Sequence, residues 1–118
     1  MGGRASKQKG ARGERMCAAE LSELLKVPIR RGCQFAGGTD SPDVKFEVIS
    51  SIHVEAKNVE KLNIKSAIDQ AVNDAGENKL PLVWHKKNGC ESLIYFRTRD
   101  LVNVSREVMR LISLTGGE

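Results

Sequence analysis

The stretch Asp43–Lys57, DVKFEVISSIHVEAK, decides the fold. In residues 43–49, Val44, Phe46 and Val48 point one way and Asp43, Lys45 and Glu47 the other. That is the period of a β-strand with one buried face. Ser50-Ser51 can turn the chain back, and Ile52–Lys57 (IHVEAK) alternates again. The two runs predict an antiparallel hairpin.

Upstream, Met16, Ala19, Leu21, Leu24 and Leu25 recur near helical spacing between Ala11 and Lys26. Gly13 weakens that helix, so its firm part is expected from Glu14. Pro28 ends it. Residues 29–42 hold a short strand and then a turn-rich loop, AGGTDSP. Downstream, Ile64, Ala67, Ile68, Ala71, Val72 and Ala75 form one face of a helix over 62–75. Asn63 is its expected N-cap and Gly76 its stop. Pro81–His85 reads as a short buried strand, Lys86-Lys87-Asn88-Gly89 as a hairpin turn and Ser92–Arg97 as the returning strand. A last helix is expected over 100–114, with Leu101, Val104, Val108, Leu111 and Ile112 on its apolar face. It can cover the chain's own sheet or meet a partner, and covering the sheet is the commoner use. The predicted class is α/β, a central mixed sheet flanked by helices in the order α-β-β-β-α-β-β-α. Residues 1–10 read as a flexible basic arm and 11–118 as one domain.

The chain has 118 residues, 40% hydrophobic and 29% charged, which fits one globular domain and excludes a disordered or collagen-like chain. No apolar run approaches the roughly 18 residues of a membrane span. The basic N-terminus precedes no apolar segment of the secretory type. Residues 1–31 hold eight Lys/Arg against three acids, whereas 32–118 hold eleven against twelve. All the excess positive charge lies in the first quarter, which suggests a polyanionic partner; a solvated basic tail is the plain alternative. Cys17, Cys33 and Cys90 form no CxxC pair. Free thiols in a reducing cytoplasm are expected, with Cys17 a small core residue.

The chemistry is carried by Pro42-Asp43 followed, twelve residues after the aspartate, by Glu55-Ala56-Lys57. Glu55 and Lys57 share a strand face. With Asp43 opening the preceding hairpin strand, its carboxylate falls beside Glu55. Two adjacent carboxylates repel unless a cation lies between them, and Mg²⁺ or Mn²⁺ suits hard oxygen ligands. A lysine on that face can orient a water and stabilise charge on a phosphate. The plain alternative is the solvated face of an antiparallel sheet. Glu14 can equally be a favourable acid in a helix's first turn, and Gln70 a solvated residue at the margin of an apolar face. Asp40 is a second acid near Asp43. His53 shares the face of Glu55, and His85 beside Trp84 reads as structural. One tryptophan and 4% aromatics argue against base stacking as the main binding mode.

The pattern resembles the PD-(D/E)XK nuclease superfamily, and more closely its Holliday-junction-resolvase-like branch, which includes small phage-type endonucleases. The resemblance runs from about Ala5 to about Arg97. It rests on Gly10-Ala11-Arg12-Gly13-Glu14-Arg15, Pro42-Asp43, Glu55-Ala56-Lys57, Gln70-Ala71, Pro81-Leu82-Val83 and Lys86-Lys87. It implies a Mg²⁺-dependent endonuclease, with Asp43 and Glu55 on the metal and Lys57 as the catalytic lysine. It implies that Glu14 and the Ala56 carbonyl add ligands and that Gln70 lies near the site. Branched DNA is the implied substrate, a homodimer the implied assembly and the cytoplasm, of a host if phage-encoded, the implied location. Lys7, Lys9, Arg12, Arg15, Arg30, Arg31, Lys86 and Lys87 are the candidate phosphate contacts. The competing readings are a nicking or flap-type nuclease with the same site and a non-catalytic DNA-binding subunit. A membrane-surface protein lacks an apolar partner face near residues 1–15.

Overall fold

The computed structural model describes residues 3–32 and 43–114, with side chains from residue 9 onward. The elements are α1 (Gly3–Leu25), β1 (Ile29–Arg31), β2 (Val44–Phe46), β3 (Ile52–Lys57), α2 (Ile64–Ala75), β4 (Leu80–His85), β5 (Leu93–Tyr95) and α3 (Leu101–Ser113). A single 3₁₀ turn, Thr98–Asp100, leads into α3. The order is the expected one, and the class is mixed α/β.

The strand pairing differs from expectation. β1 and β2 form an antiparallel two-stranded sheet, with Arg30 opposite Lys45. β3 pairs with β4 in parallel, Glu55 opposite Val83, and β4 pairs with β5 antiparallel across the Lys86–Gly89 turn. No β2–β3 ladder forms among the described residues. The outer edge of β3 is instead held by side chains. Ile52 N–H donates to Ser50 Oγ (3.1 Å) and Ala56 N–H to Asp43 Oδ2 (2.8 Å). The chain between the two strands is drawn away from the edge: Glu47 N–H donates to Pro28 O, and Ser51 N–H to Glu107 Oε2 (2.9 Å) on α3. Alternation correctly told which face is buried, since Val44 is buried and Phe46 and Val48 pack on the core. It does not tell which strand is the neighbour.

β3 and β4 form the centre, and their two faces are covered differently. Ile52, Val54, Leu82 and Trp84 meet Cys17, Leu21 and Leu25 of α1 and Val104 and Leu111 of α3. Burying thirteen such side chains is the main stabilising term. Trp84 is 2% exposed, and its indole N–H donates to Glu20 Oε1 (2.7 Å). Burial raises the Cys17 thiol far above its ordinary range, which makes it an inert core residue. On the opposite face, Val83 packs against Ala67 and Ala71 of α2. The α2 cap is as expected: Asn63 accepts from Ser66 N–H at 3.0 Å, and Gly76 closes the helix at φ 70°. α3 covers the chain's own core through Val104 and Leu111 but leaves Leu101, Val102 and Met109 exposed.

α1 starts at Gly3, eight residues before the expected Ala11, so the basic arm continues the helix. Ala, Arg, Lys and Gln are good helix formers, and together they outweigh Gly10 and Gly13. Gly13 has a positive role. A Cβ there would stand 2.5 Å from Asn58 Cβ, so only glycine lets α1 approach the end of β3 this closely. No helix among the described residues is long and apolar enough to cross a membrane.

Candidate functional site

Parallel strands deliver their chain direction to one end, and ligand sites of α/β proteins collect where the strands end. Most of the candidate residues gather at the carboxyl end of β3. Asp43 sits just before β2, and its carboxylate reaches the Ala56 amide at the open edge of β3. A strand residue directs its N–H and C=O to the same edge, so the Ala56 carbonyl faces that side too. Glu14, on α1, meets the same carboxylate at hydrogen-bonding range. Arg31 Nε donates to Glu14 Oε1 at 2.7 Å. Burial raises the Glu14 carboxyl above its ordinary value, the Arg31 hydrogen bond lowers it and the Asp43 charge raises it again, leaving it net elevated.

Lys57 and Gln70 are also brought together. Lys57 Nζ donates to Gln70 Oε1 at 2.8 Å, which fixes the ammonium between β3 and α2. Glu55 faces the same side but lies deeper, 5% exposed. Its carboxylate Oε2 lies 2.7 Å from His53 Nε2, in hydrogen-bonding contact. Asp74 completes that group: one ligand atom each from His53, Glu55 and Asp74 lie within 4.8 Å of one another. The carboxylates at β3 thus have different immediate neighbours. Asp43 joins Glu14 at its edge, and Glu55 joins His53 and Asp74 beneath α2.

The basic candidates divide. Arg12 and Arg15 are exposed on α1, and Lys87 is exposed in the β4–β5 turn. Lys9 stands 4.0 Å from Glu60, whose carboxylate also accepts from Asn88 N–H in that turn. Lys86 is tied to the end of β3 through its amide, which donates to Lys57 O. Arg30 lies 3.9 Å from Glu47, and Arg31 is committed to Glu14. The Lys7 side chain, and Asp40 and Pro42 of the motif loop, lie outside the described residues. His85 is structural, as expected, with Nε2 on Val59 O at 2.8 Å. Buried Trp84 has no face to offer a base.

Sequence reasoning set aside His53 and did not consider Asp74. Two signals could have found them: His53 is two residues from Glu55 on one strand face, and Asp74 is one helical turn beyond Gln70. Both rows face each other because α2 runs back along β3. Comparisons with protein-family models, curated proteins and solved structures gave no match.

As chemistry, the edge group offers hard oxygen donors in the carboxylates of Glu14 and Asp43, with the Ala56 backbone beside them. That donor set fits a Mg²⁺-type cation. Burial first, and the Asp43 charge to a smaller extent, raise the Glu14 carboxyl, and a cation between the two carboxylates would relieve the second of these. Lys57 adds an oriented positive charge two residues after Glu55.

Proposed function

We propose that this chain is a metal-dependent DNA endonuclease of the PD-(D/E)XK kind, selective for branched DNA in the manner of a Holliday junction resolvase. The observation that best supports the reading is the Asp43 carboxylate seated on the Ala56 amide, inside the Glu55-Ala56-Lys57 motif. Residues thirteen apart in sequence are joined there, which supports one shared neighbourhood for Asp43 and the Glu55-Ala56-Lys57 motif.

Asp43 and Glu14 would hold the cation, Mg²⁺ or Mn²⁺, with the Ala56 carbonyl beside them. Glu55 joins that group only by leaving His53. Such a cation supplies charge for the scissile phosphate and lowers the pKa of a water. The chain's own residues do the rest. Lys57, held by Gln70, presents its ammonium to a phosphate oxygen or a water. Arg12, Arg15 and Lys87 contact backbone phosphates, which gives affinity without base reading. The proposed setting is the cytoplasm and the proposed assembly a two-fold dimer that cuts both strands symmetrically.

The test is a cleavage panel with end-labelled four-way junction, flap, linear duplex and single strand, in Mg²⁺, Mn²⁺ or EDTA. Paired symmetric nicks in the junction are expected, absent in EDTA and at least about 10²-fold slower in Asp43→Asn, a typical loss for one electrostatic catalytic group. Asparagine keeps an oxygen for the Ala56 amide, so the variant retains its fold. Cutting of flaps or duplex without junction preference would retain the site and change the substrate. DNA binding with no cleavage in any metal would remove the catalytic reading and leave a binding subunit.

A further inference from the structure

Among the described residues, His53, Glu55 and Asp74 are the one group of three or more metal-ligating side chains that converge. We propose that they form a site for a borderline divalent cation, Mn²⁺ or Zn²⁺, chemically distinct from the Mg²⁺-type oxygen site at Glu14 and Asp43. The geometry comes first. His53 and Glu55 are fixed two apart on β3, and their ligand atoms already touch at 2.7 Å. Asp74 approaches from the last turn of α2, with all three atoms within 4.8 Å. Ligands about 2.0–2.2 Å from one ion lie roughly 3–3.5 Å apart. Closing the triad therefore needs side-chain rotation only, chiefly of the half-buried Asp74.

The donor set decides the metal. An imidazole nitrogen is a poor ligand for Mg²⁺, which prefers oxygen and keeps its waters. Imidazole with carboxylates suits Mn²⁺ or Zn²⁺. Two carboxylates and a neutral imidazole also balance a dication, which matters where His53 and Glu55 are about 95% buried. Access is present as well. His53 and Asp74 line a cleft of about 740 Å³ between β3 and the β1–β2 sheet. Arg30, Lys45 and Lys79 line the same cleft, together with Glu47, which stands 3.9 Å from Arg30. A cation at the triad would thus have remaining coordination positions facing an open cleft.

The site stands apart from the nuclease reading, with Glu55 the one residue common to both. The experiment uses the full chain stripped of metal and titrated with Co²⁺ alone, followed by visible absorption. One tight equivalent is expected, with ligand-field bands of nitrogen and oxygen coordination and no thiolate charge-transfer band, any Co²⁺ at the Glu14 and Asp43 oxygens binding more weakly. His53→Gln and Asp74→Asn should each weaken binding about tenfold or more, while Asp43→Asn leaves it unchanged. Far-UV circular dichroism of each variant checks that it is folded. Competition with Zn²⁺, Mn²⁺ and Mg²⁺ names the ion, and Mg²⁺ should be the weakest competitor. Absence of binding, a thiolate band, binding that survives both His53→Gln and Asp74→Asn, or loss in Asp43→Asn would each overturn the proposal. None of these readouts depends on DNA cleavage.

Discussion

Glu14 shows how one residue carries opposing demands. Burial and the Asp43 charge penalise its ionised form, and Arg31 only partly offsets them. A carboxyl whose folded pKa is raised binds its proton more tightly in the native state than in the unfolded chain. Its contribution to stability is full at low pH and is lost as pH rises through the folded value. Glu14→Gln removes that loss. Relative to the parent, the variant's Tm is expected to climb as pH is raised from 4.5 toward neutrality, while metal-dependent cleavage falls. Thermal melts across that range check the first half. A variant whose relative Tm drops with pH would show that the Arg31 ion pair outweighs the Asp43 repulsion. Stability given up for a charged site is a familiar trade.

At the same scale, the sequence disclosed residue types better than residue partners. Asp43, Glu55 and Lys57 stood out because Pro42 and the strand period marked them. The Asp43 link to Ala56 and the Lys57 link to Gln70 agree with one shared neighbourhood. The Glu55 partner did not show, because i, i+2 adjacency gives a face and not a rotamer. The Arg31 bond to Glu14 was not legible, since an ion pair seventeen residues apart leaves no local pattern.

Elements were legible in proportion to their length and punctuation. α2 was bracketed correctly by Asn63 and Gly76, because caps act through local hydrogen bonds. β2, only three residues long, takes its place from tertiary contacts. The linker before β3 is clamped by Glu107, which receives Ser51 N–H and both Nε and Nη2 of Arg110. Arg110 holds that carboxyl down at about 2, so the clamp stays charged at any physiological pH. The docking of α1 on the end of β3 depends on Gly13. Asn58 there also donates to Lys9 O at 3.2 Å. Gly13→Ala would gain about 1 kcal/mol of helix propensity. The new methyl group would meet Asn58 Cβ, which is anchored to the strand and cannot swing away. Overpacking of this kind costs about 1–3 kcal/mol, so the net effect is destabilising and Cm in urea should fall with m unchanged. A Cm at or above the parent's would mean that α1 can lift from β3 without loss.

For the molecule as a whole, charge and shape have to serve one ligand. The +4 excess arises in the first quarter of the chain, and the structure turns most of that quarter into a single helix, α1, lying along the sheet. Its exposed Arg12 and Arg15 flank Glu14, so the residues that would grip phosphates sit two positions before and one after a residue that would hold the cation. A helix is a rigid carrier, and rigid placement loses less entropy on binding than a flexible arm would. The consequence is measurable in salt. Each phosphate neutralised contributes about −0.9 to the slope of log K against log[salt] on duplex DNA. Arg12→Ala with Arg15→Ala should therefore flatten that slope by about 2, with equal loss of affinity on junctions and on duplexes of any sequence. Fluorescence anisotropy in EDTA, from about 50 to 200 mM salt, separates this from any effect on catalysis. An unchanged slope would place the DNA on another face and would detach the basic helix from the carboxylate site it now surrounds.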